Sequence, residues 1–187
     1  IIMDKKSRIL KEKAMKKCVA LISFLMFLPV MVQAQKEYPI EQVSAINVGD
    51  GRILFRDLKT EKPLNGDHRI IDGYHSAYIQ AGFKGGFYSG KYGEYEYNKL
   101  KCDGTYKDGK KDGVFKMYDS EGRVQEEKSY KDGKLHGAHK TYFTTGKVER
   151  EVNYRNGKQD GKDMVYEWDG TLRRDHTYYD GQQGGKQ

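Results

Sequence analysis

A motif of the form Tyr-x-x-Gly-x-x-x-Gly recurs with a fixed 24-residue period through the C-terminal half of this 187-residue chain. Its four copies are Tyr106, Gly109 and Gly113; Tyr130, Gly133 and Gly137; Tyr154, Gly157 and Gly161; and Tyr178, Gly181 and Gly185. Three further columns keep the same phase, and they consist of Tyr118, Tyr142 and Tyr166, of Gly122, Gly146 and Gly170, and of Val124, Val148 and Leu172. Self-similarity at a fixed period of this length is typical of repeat architectures, so we expect a repeat scaffold rather than an ordinary globular domain.

Each 24-residue unit contains two segments of strand length separated by turn residues. In one unit these segments are residues 123–130 and 137–142, and the turns are Asp132-Gly133 and Thr145-Gly146. The recurring glycines suit turn positions with positive φ, or places where two backbones approach closely. The sequence therefore predicts an all-β fold in which tandem 24-residue hairpins form an elongated, open antiparallel sheet.

The repeat array is predicted to span residues 59–187, with less regular units at its start. Residues 35–58 lie outside the repeat register, and their apolar residues flank the turn Gly49-Asp50-Gly51. We expect this segment to form a strand or hairpin that caps the first repeat.

Tyrosine is expected to do much of the packing, because only 36% of the chain is hydrophobic. Side chains alternate between the two faces of a strand, which predicts that Val124 and Tyr130 lie on one half-buried face. Tyr118 on the partner strand is expected to join them there.

Residues 15–34 have the features of a secretory signal peptide. Met15-Lys16-Lys17 precedes an apolar run, and Val32-Gln33-Ala34 resembles the small-residue motif that precedes a signal-peptide cleavage site. We therefore expect cleavage after Ala34. Residues 1–14 are interpreted as an upstream extension of the reading frame, because the chain does not begin with Met. The expected location is the periplasm or the cell envelope.

Net charge is a poor indication of nucleic-acid binding in this chain. The whole sequence carries a formal charge of +7, but residues 1–34 contain seven of the Lys and Arg residues and only two Asp and Glu. The remaining chain has 27 basic and 25 acidic residues, a net charge of +2. DNA and RNA binding require a strong positive field, so we expect no nucleic-acid partner.

Two charged columns are the candidate binding residues. One is acidic and the other basic, and they comprise Asp103, Glu127, Glu151 and Asp175, and Lys110, Lys134 and Lys158. Equivalent residues of successive hairpins lie two strands apart, about 9.6 Å, where repulsion between like charges is weak enough for a solvated outer face. The columns are thus either a recognition stripe or a soluble surface that discourages aggregation.

Catalysis and cofactor binding are not expected. A catalytic acid and base need different environments, whereas the acidic positions of the repeats look alike. His136 and His139 lack further ligands at metal-site spacing.

The unit at residues 130–148 resembles the bacterial MORN-repeat variant found in YwqK-family antitoxins, since its Tyr, Gly and Val148 positions recur in phase. The resemblance covers about residues 83–185. It implies an open sheet of hairpins, protein scaffolding, less directly phospholipid contact, and, from the antitoxin family, neutralisation of a toxin by direct binding.

These observations favour a non-enzymatic, exported scaffold that binds another protein. One alternative is an antitoxin or immunity protein with a cognate toxin. Another is binding of an envelope glycan or phospholipid, for which tyrosines with apolar rings and polar tips are suited. An open sheet edge could also pair with a second copy to form a homodimer.

Overall fold

The computed structural model describes residues 35–184. The predicted extension at 1–14, the predicted signal peptide at 15–34 and the repeat residue Gly185 lie outside the described residues. Within the described range, no helix is both long enough and apolar enough to cross a membrane.

The described residues are almost entirely β-structure. Between 35 and 184 the strands are β1 (Lys36–Pro39), β2 (Val43–Asn47), β3 (Ile53–Asp57), β4 (Gly66–Asp72), β5 (Ala77–Lys84), β6 (Phe87–Glu96), β7 (Lys99–Lys107), β8 (Lys110–Lys111), β9 (Gly113–Tyr118), β10 (Val124–Lys131), β11 (Lys134–Tyr142), β12 (Val148–Arg155), β13 (Lys158–Tyr166), β14 (Leu172–Tyr179) and β15 (Gln182–Gln183). A 3-10 turn, Ile40–Gln42, separates β1 from β2.

Thirteen strands form one open sheet, in the order β1-β4-β5-β6-β7-β9 and then consecutively from β10 to β15, with β8 beside β7. The prediction of an all-β open sheet of tandem hairpins is confirmed. The sheet is mixed rather than wholly antiparallel, because β1 pairs with β4 in parallel. A parallel pair needs a long crossover, and β2, β3 and the following loop provide it.

Two-residue turns close the hairpins at one end of the sheet. Between β10 and β11, Asp132 has φ of 50° and Gly133 has φ of 81°, as in the type I′ turns that suit the twist of a hairpin. Asn, Asp and Gly adopt this conformation most easily, which explains the turn composition of the repeats. The first glycine of every repeat motif occupies the second position of such a turn and has a positive φ. These residues are Gly109, Gly133, Gly157 and Gly181.

The second glycine of the repeat motif lies inside a strand instead of a turn. At Gly137 on β11, φ is 102°, and a Cβ atom would come within 3.1 Å of the Ser129 Cβ on β10. The positive φ and the close approach of the neighbouring strand together explain glycine in this column, although it does not lie in a turn. Its described members, each facing a side chain of the preceding strand, are Gly113, Gly137 and Gly161.

The third glycine column closes the turns at the opposite end of the hairpins. Its members have positive φ, and a Cβ atom on any of them would meet nothing within 4 Å; they are Gly122, Gly146 and Gly170. Conformation alone accounts for glycine in this column.

The two faces of the sheet differ in character. We name the face that carries Tyr88, Tyr106 and Tyr130 the core face. Its rings contact each other in sequence, and the centroid of Phe115 lies 5.3 Å from that of Tyr106 and 5.5 Å from that of Tyr130. The packing of tyrosine and phenylalanine replaces an aliphatic core in this part of the sheet.

A separate two-stranded sheet, β2 and β3, covers the beginning of the core face. The ring of Phe55 on β3 lies 5.4 Å from Phe83 and 4.7 Å from Tyr88. The Phe55 amide also donates to the Gly86 carbonyl at 2.8 Å, and the Leu64 amide donates to the Phe55 carbonyl at 3.1 Å. This hydrophobic cluster ends at Tyr130, whereas β11 to β14 mainly contact their neighbouring strands.

The opposite face, which we name the ladder face, carries Tyr118 and Glu127. Val124 pairs with Tyr118, but the next paired residue, Glu126, is opposite Met117. This β-bulge at Gln125 moves Val124 onto the ladder face, while Tyr130 stays on the core face. The prediction that these two residues share a face is wrong, because strict alternation does not hold through a bulge.

Candidate functional site

The predicted acidic residues lie in one row across the ladder face. Strand pairing gives the order Asp103, Lys116, Glu127, Lys140, Glu151, Met164, Asp175. A lysine thus stands between successive carboxylates at two positions, and Met164 interrupts the alternation. We name this row the charge ladder.

Ion pairs connect neighbouring members of the charge ladder. Lys116 Nζ lies 3.1 Å from Glu127 Oε1, and Lys140 Nζ lies 3.4 Å from Glu151 Oε2. Opposite charges in directly paired positions stabilise a sheet. Glu127 and Glu151 are therefore neutralised within the row itself. The two lysines are also one repeat period apart, which is the signal that could have found them from the sequence.

Tyrosines of the ladder face donate hydrogen bonds to the acidic row. The Tyr118 hydroxyl donates to Asp103 Oδ1 at 3.1 Å. Burial, together with the Asp103 charge, raises the pKa of Tyr118 to about 12. Burial and a hydrogen bond to Glu127 raise the pKa of Tyr142 to about 12 in the same way. Tyr118 and Tyr142 are therefore uncharged at neutral pH.

The predicted lysine column lies at the hairpin turns and does not meet the acidic row. Lys110 Nζ lies 3.5 Å from Asp50 Oδ2 in the β2–β3 turn, and Lys158 Nζ lies 2.9 Å from Asp180 Oδ1. Lys134 has no ion pair among residues 35–184. The two predicted columns thus belong to separate regions of the surface.

The core face changes from aromatic to ionic along one column of the repeats. Phe115, His139 and Asp163 are each one repeat period apart and occupy equivalent strand positions. His139 Nε2 lies 2.6 Å from Glu126 Oε1, where Phe115 instead packs against tyrosines. In the following unit Asp163 replaces the ring, and only 1% of its surface is exposed.

Arg150 holds this buried carboxylate in a two-point contact. Arg150 Nε donates to Asp163 Oδ1 and Nη2 donates to Oδ2, both at 2.8 Å. Arg174 approaches the same carboxylate, with its Nη2 3.7 Å from Oδ2. The Arg150 hydrogen bonds, followed by the charges of both arginines, lower the pKa of Asp163, so the carboxylate is ionised at neutral pH.

The candidate residues chosen from the sequence did not include this cluster, because the residue type at its positions differs from one repeat to the next. Asp163 occupies the repeat position that Phe115 and His139 hold in the two preceding units, and Arg150 occupies the position that Glu126 holds. Variation within an otherwise regular column was the available signal. In the described chain, no three His, Cys, Asp or Glu side chains converge to hold a metal ion.

Comparison with known proteins supports the repeat class. The MORN repeat variant matches two adjacent units, residues 111–132 and 135–156. The chain thus contains MORN-variant repeats, and repeats of this kind indicate a protein that takes part in binding. No curated protein matches the sequence significantly.

Structural similarity to solved proteins is low. The crystal structure of TarM, and that of an S. aureus TarM mutant in complex with Fondaparinux, alpha-GlcNAc-glycerol and UDP, align at 12% identity and a TM-score of 0.23. The alignments cover 64% and 65% of this chain and 21% of each TarM chain. The chain therefore spans about a fifth of the length of these two structures.

Proposed function

We propose that this chain is a non-enzymatic, exported repeat protein that acts as a protein-binding scaffold in the cell envelope. The observation that carries the proposal is the change of the core face after Tyr130. Up to that residue the face carries the buried aromatic cluster, whose first strands are covered by β2 and β3, and after it the face presents ion-paired side chains without a covering layer among the described residues. The first strands of the array would then be engaged in packing against β2 and β3, and the last strands would be available to bind a partner.

A protein partner fits this surface better than a small molecule. Small-molecule sites are usually concave and mostly apolar, with a few polar groups for orientation. The ladder face instead carries a row of six charged residues across seven strands, from Asp103 to Asp175, interrupted only at Met164. Complementary charges spread over a broad surface favour recognition of another macromolecule.

Export is supported by the leader-like residues 15–34 and by the small net charge of the remaining chain. Cell fractionation would test this part of the proposal directly. A protein of the mature size in the periplasmic or envelope fraction is expected, whereas an uncleaved protein in the cytoplasm would contradict export.

Affinity capture from the envelope fraction would test the scaffold function. The bait is the full chain, compared with a core-face variant, Arg174→Gln, a ladder-face variant, Glu127→Lys with Glu151→Lys, and a turn variant, Lys134→Glu. We expect a defined protein partner that at least one surface variant loses while the fold is retained. Capture of no protein, or of the same proteins by every variant, would refute a binding surface on the sheet.

An antitoxin role is the second candidate, and it is favoured by the match of residues 111–132 and 135–156 to the MORN repeat variant, the repeat type of the antitoxin family that residues 130–148 resemble. It predicts one tight cognate partner encoded beside this gene. Deletion of the gene in a strain that keeps the neighbouring gene should then impair growth. Normal growth of that strain would count against this role.

Binding of an envelope glycan or phospholipid is the third candidate. It is favoured by aromatic side chains exposed at turns, since Trp168 is 73% exposed and Tyr97 is 70% exposed. Sedimentation with purified cell wall and with lipid vesicles separates this candidate from a protein-binding role. Sedimentation that depends on Trp168 would support it.

A further inference from the structure

Two arginines share one buried carboxylate on the core face of the last hairpins. We name Arg150, Asp163, Arg174 and His176 the arginine patch. Asp163 and His176 are directly paired across β13 and β14, and Arg150 and Arg174 both approach the Asp163 carboxylate. The patch lies beyond Tyr130, where β2 and β3 no longer cover the face.

The patch has one positive charge more than it has negative charges. Asp163 supplies one carboxylate, whereas Arg150 and Arg174 supply two guanidinium groups, which stay protonated at any physiological pH. In the described part of the chain, other carboxylates near the patch make no ion pair with its arginines. Glu126 is paired with Lys128 at 2.8 Å and with His139 at 2.6 Å, and Glu149 accepts a hydrogen bond from Thr141 Oγ1 at 3.3 Å.

The guanidinium groups remain accessible although the carboxylate does not. The side chains of Arg150 and Arg174 are 43% and 46% exposed, whereas that of Asp163 is 2% exposed. Arg150 uses Nε and Nη2 on Asp163, which leaves Nη1 free of that contact. Within residues 35–184, Arg174 makes no side-chain hydrogen bond and only the 3.7 Å ion pair.

Asp163 acts as a positioning residue in this arrangement. A buried carboxylate that accepts two hydrogen bonds holds the Arg150 guanidinium in one orientation, so less rotamer freedom is lost when an anion binds. Arg174 is one strand further and shares that carboxylate. Arg150 therefore presents an oriented guanidinium group, and Arg174 presents a second one beside it, on an exposed surface.

We infer that the arginine patch binds the carboxylates of an acidic segment in a partner protein. The planar fork of arginine matches a carboxylate in two-point geometry, and the Arg150 contact with Asp163 is an example of that geometry. The excess positive charge selects an acidic segment over a basic one. The inference names the partner chemistry for the protein-binding function proposed above and rests on it.

The sequence provides a matched control for the test. Arg173 and Arg174 are adjacent on β14, and Arg173 is the bulge residue between the paired positions Leu172 and Arg174. Arg173 is 68% exposed and pairs with Glu167 at 3.5 Å. Arg174→Gln and Arg173→Gln change the net charge by the same amount, and only the first alters the arginine patch.

The experiment measures binding of a fluorescent poly-glutamate peptide to the full chain by anisotropy, with a poly-glutamine peptide as the neutral comparison. Arg174→Gln should weaken poly-glutamate binding about tenfold, as expected for loss of a charge-assisted contact, and Arg173→Gln should leave it unchanged. Arg174→Lys should restore only part of the affinity, because lysine lacks the planar fork. Circular dichroism and the Tm of each variant confirm that the sheet is intact.

Three outcomes would overturn the inference. They are equal weakening by Arg173→Gln and Arg174→Gln, the absence of poly-glutamate binding by the unmodified chain, and Arg174-dependent binding of phosphatidylserine vesicles without binding of poly-glutamate. The last outcome would assign the patch to a lipid surface.

Envelope capture with the same variants separates this inference from the proposed function. If captured proteins depend on other surface residues and not on Arg174, the scaffold function stands and the patch is not its site. If no protein is captured while the peptide still binds through Arg174, the patch stands as a carboxylate site and the scaffold function fails.

Discussion

The ring of Phe115 lies directly over the backbone of Gly104. A Cβ atom on Gly104 would come within 2.6 Å of the ring carbon Cγ, closer than real Cβ contacts allow. Phe115 is itself only 4% exposed and touches Tyr106 and Tyr130 on either side. A side chain at position 104 would therefore displace the ring that links the covered part of the core face to the uncovered part.

Gly104→Ala should destabilise the protein by about 1–3 kcal/mol, because extra volume in a well-packed site forces the neighbouring ring from its position. The measurement is the free energy of unfolding from urea denaturation. Gly73→Ala is the control, since a Cβ there meets nothing within 4 Å. Equal stability of the two variants would contradict the close packing of Phe115.

Asp163→Asn should destabilise the protein by about 1–3 kcal/mol at neutral pH, because it leaves Arg150 and Arg174 without their shared counter-charge. The lowered pKa of Asp163 in the folded state means that its stabilising effect is present above the unfolded pKa of about 3.9 and is lost as the pH falls toward the folded value. The difference between wild type and variant should therefore shrink in acid.

Urea denaturation at a series of pH values checks this expectation. Asp180→Asn is the comparison, because its ion pair with Lys158 is exposed and should contribute little. If the difference in unfolding free energy between wild type and Asp163→Asn stays constant as the pH falls below the unfolded pKa, the charge of Asp163 does not stabilise the fold.

Tyr118→Phe should cost about 1 kcal/mol at neutral pH, because the hydrogen bond to Asp103 is lost. The folded pKa of about 12 exceeds the unfolded value, so the stabilisation is present below about pH 10 and is lost as the pH rises through the folded pKa. The difference in unfolding free energy between wild type and Tyr118→Phe should accordingly disappear as the pH rises from about 10 to the folded pKa of about 12.

Chemical denaturation on both sides of pH 10 measures the effect, with Tyr97→Phe as an exposed control. Persistence of the full difference in strong alkali would argue against a buried, neutral Tyr118.

Lys140→Glu should destabilise the sheet by about 1 kcal/mol, because it places a third negative charge in register between Glu127 and Glu151. The loss should diminish with added salt, since the charge ladder is only half-buried. Lys134→Glu makes the same charge change at a turn that lies outside the ladder. If both variants behave alike in urea denaturation at low and high salt, the ladder has no energetic role.

The 24-residue period was enough to predict the class of fold and the positions of several turns. A two-residue turn with positive φ accepts few residue types, so Asp132-Gly133 could be recognised locally. The acidic column was also visible in the sequence, but its partners were missed because Lys116 and Lys140 come from different strands. Their proximity to Glu127 depends on the pairing register.

The sequence by itself determined the repeating hairpin, because turn chemistry and strand length are local properties that recur with every unit. Only the tertiary structure decided which side chains share a face, since the bulge at Gln125 reverses the alternation that the sequence predicts. It also decided which part of the core face is covered, because the contact of Phe55 with Phe83 and Tyr88 joins distant segments of the chain. The arginine patch depends on the strand pairing that brings Arg150, Asp163 and Arg174 together, and the sequence showed only the variation within their repeat columns.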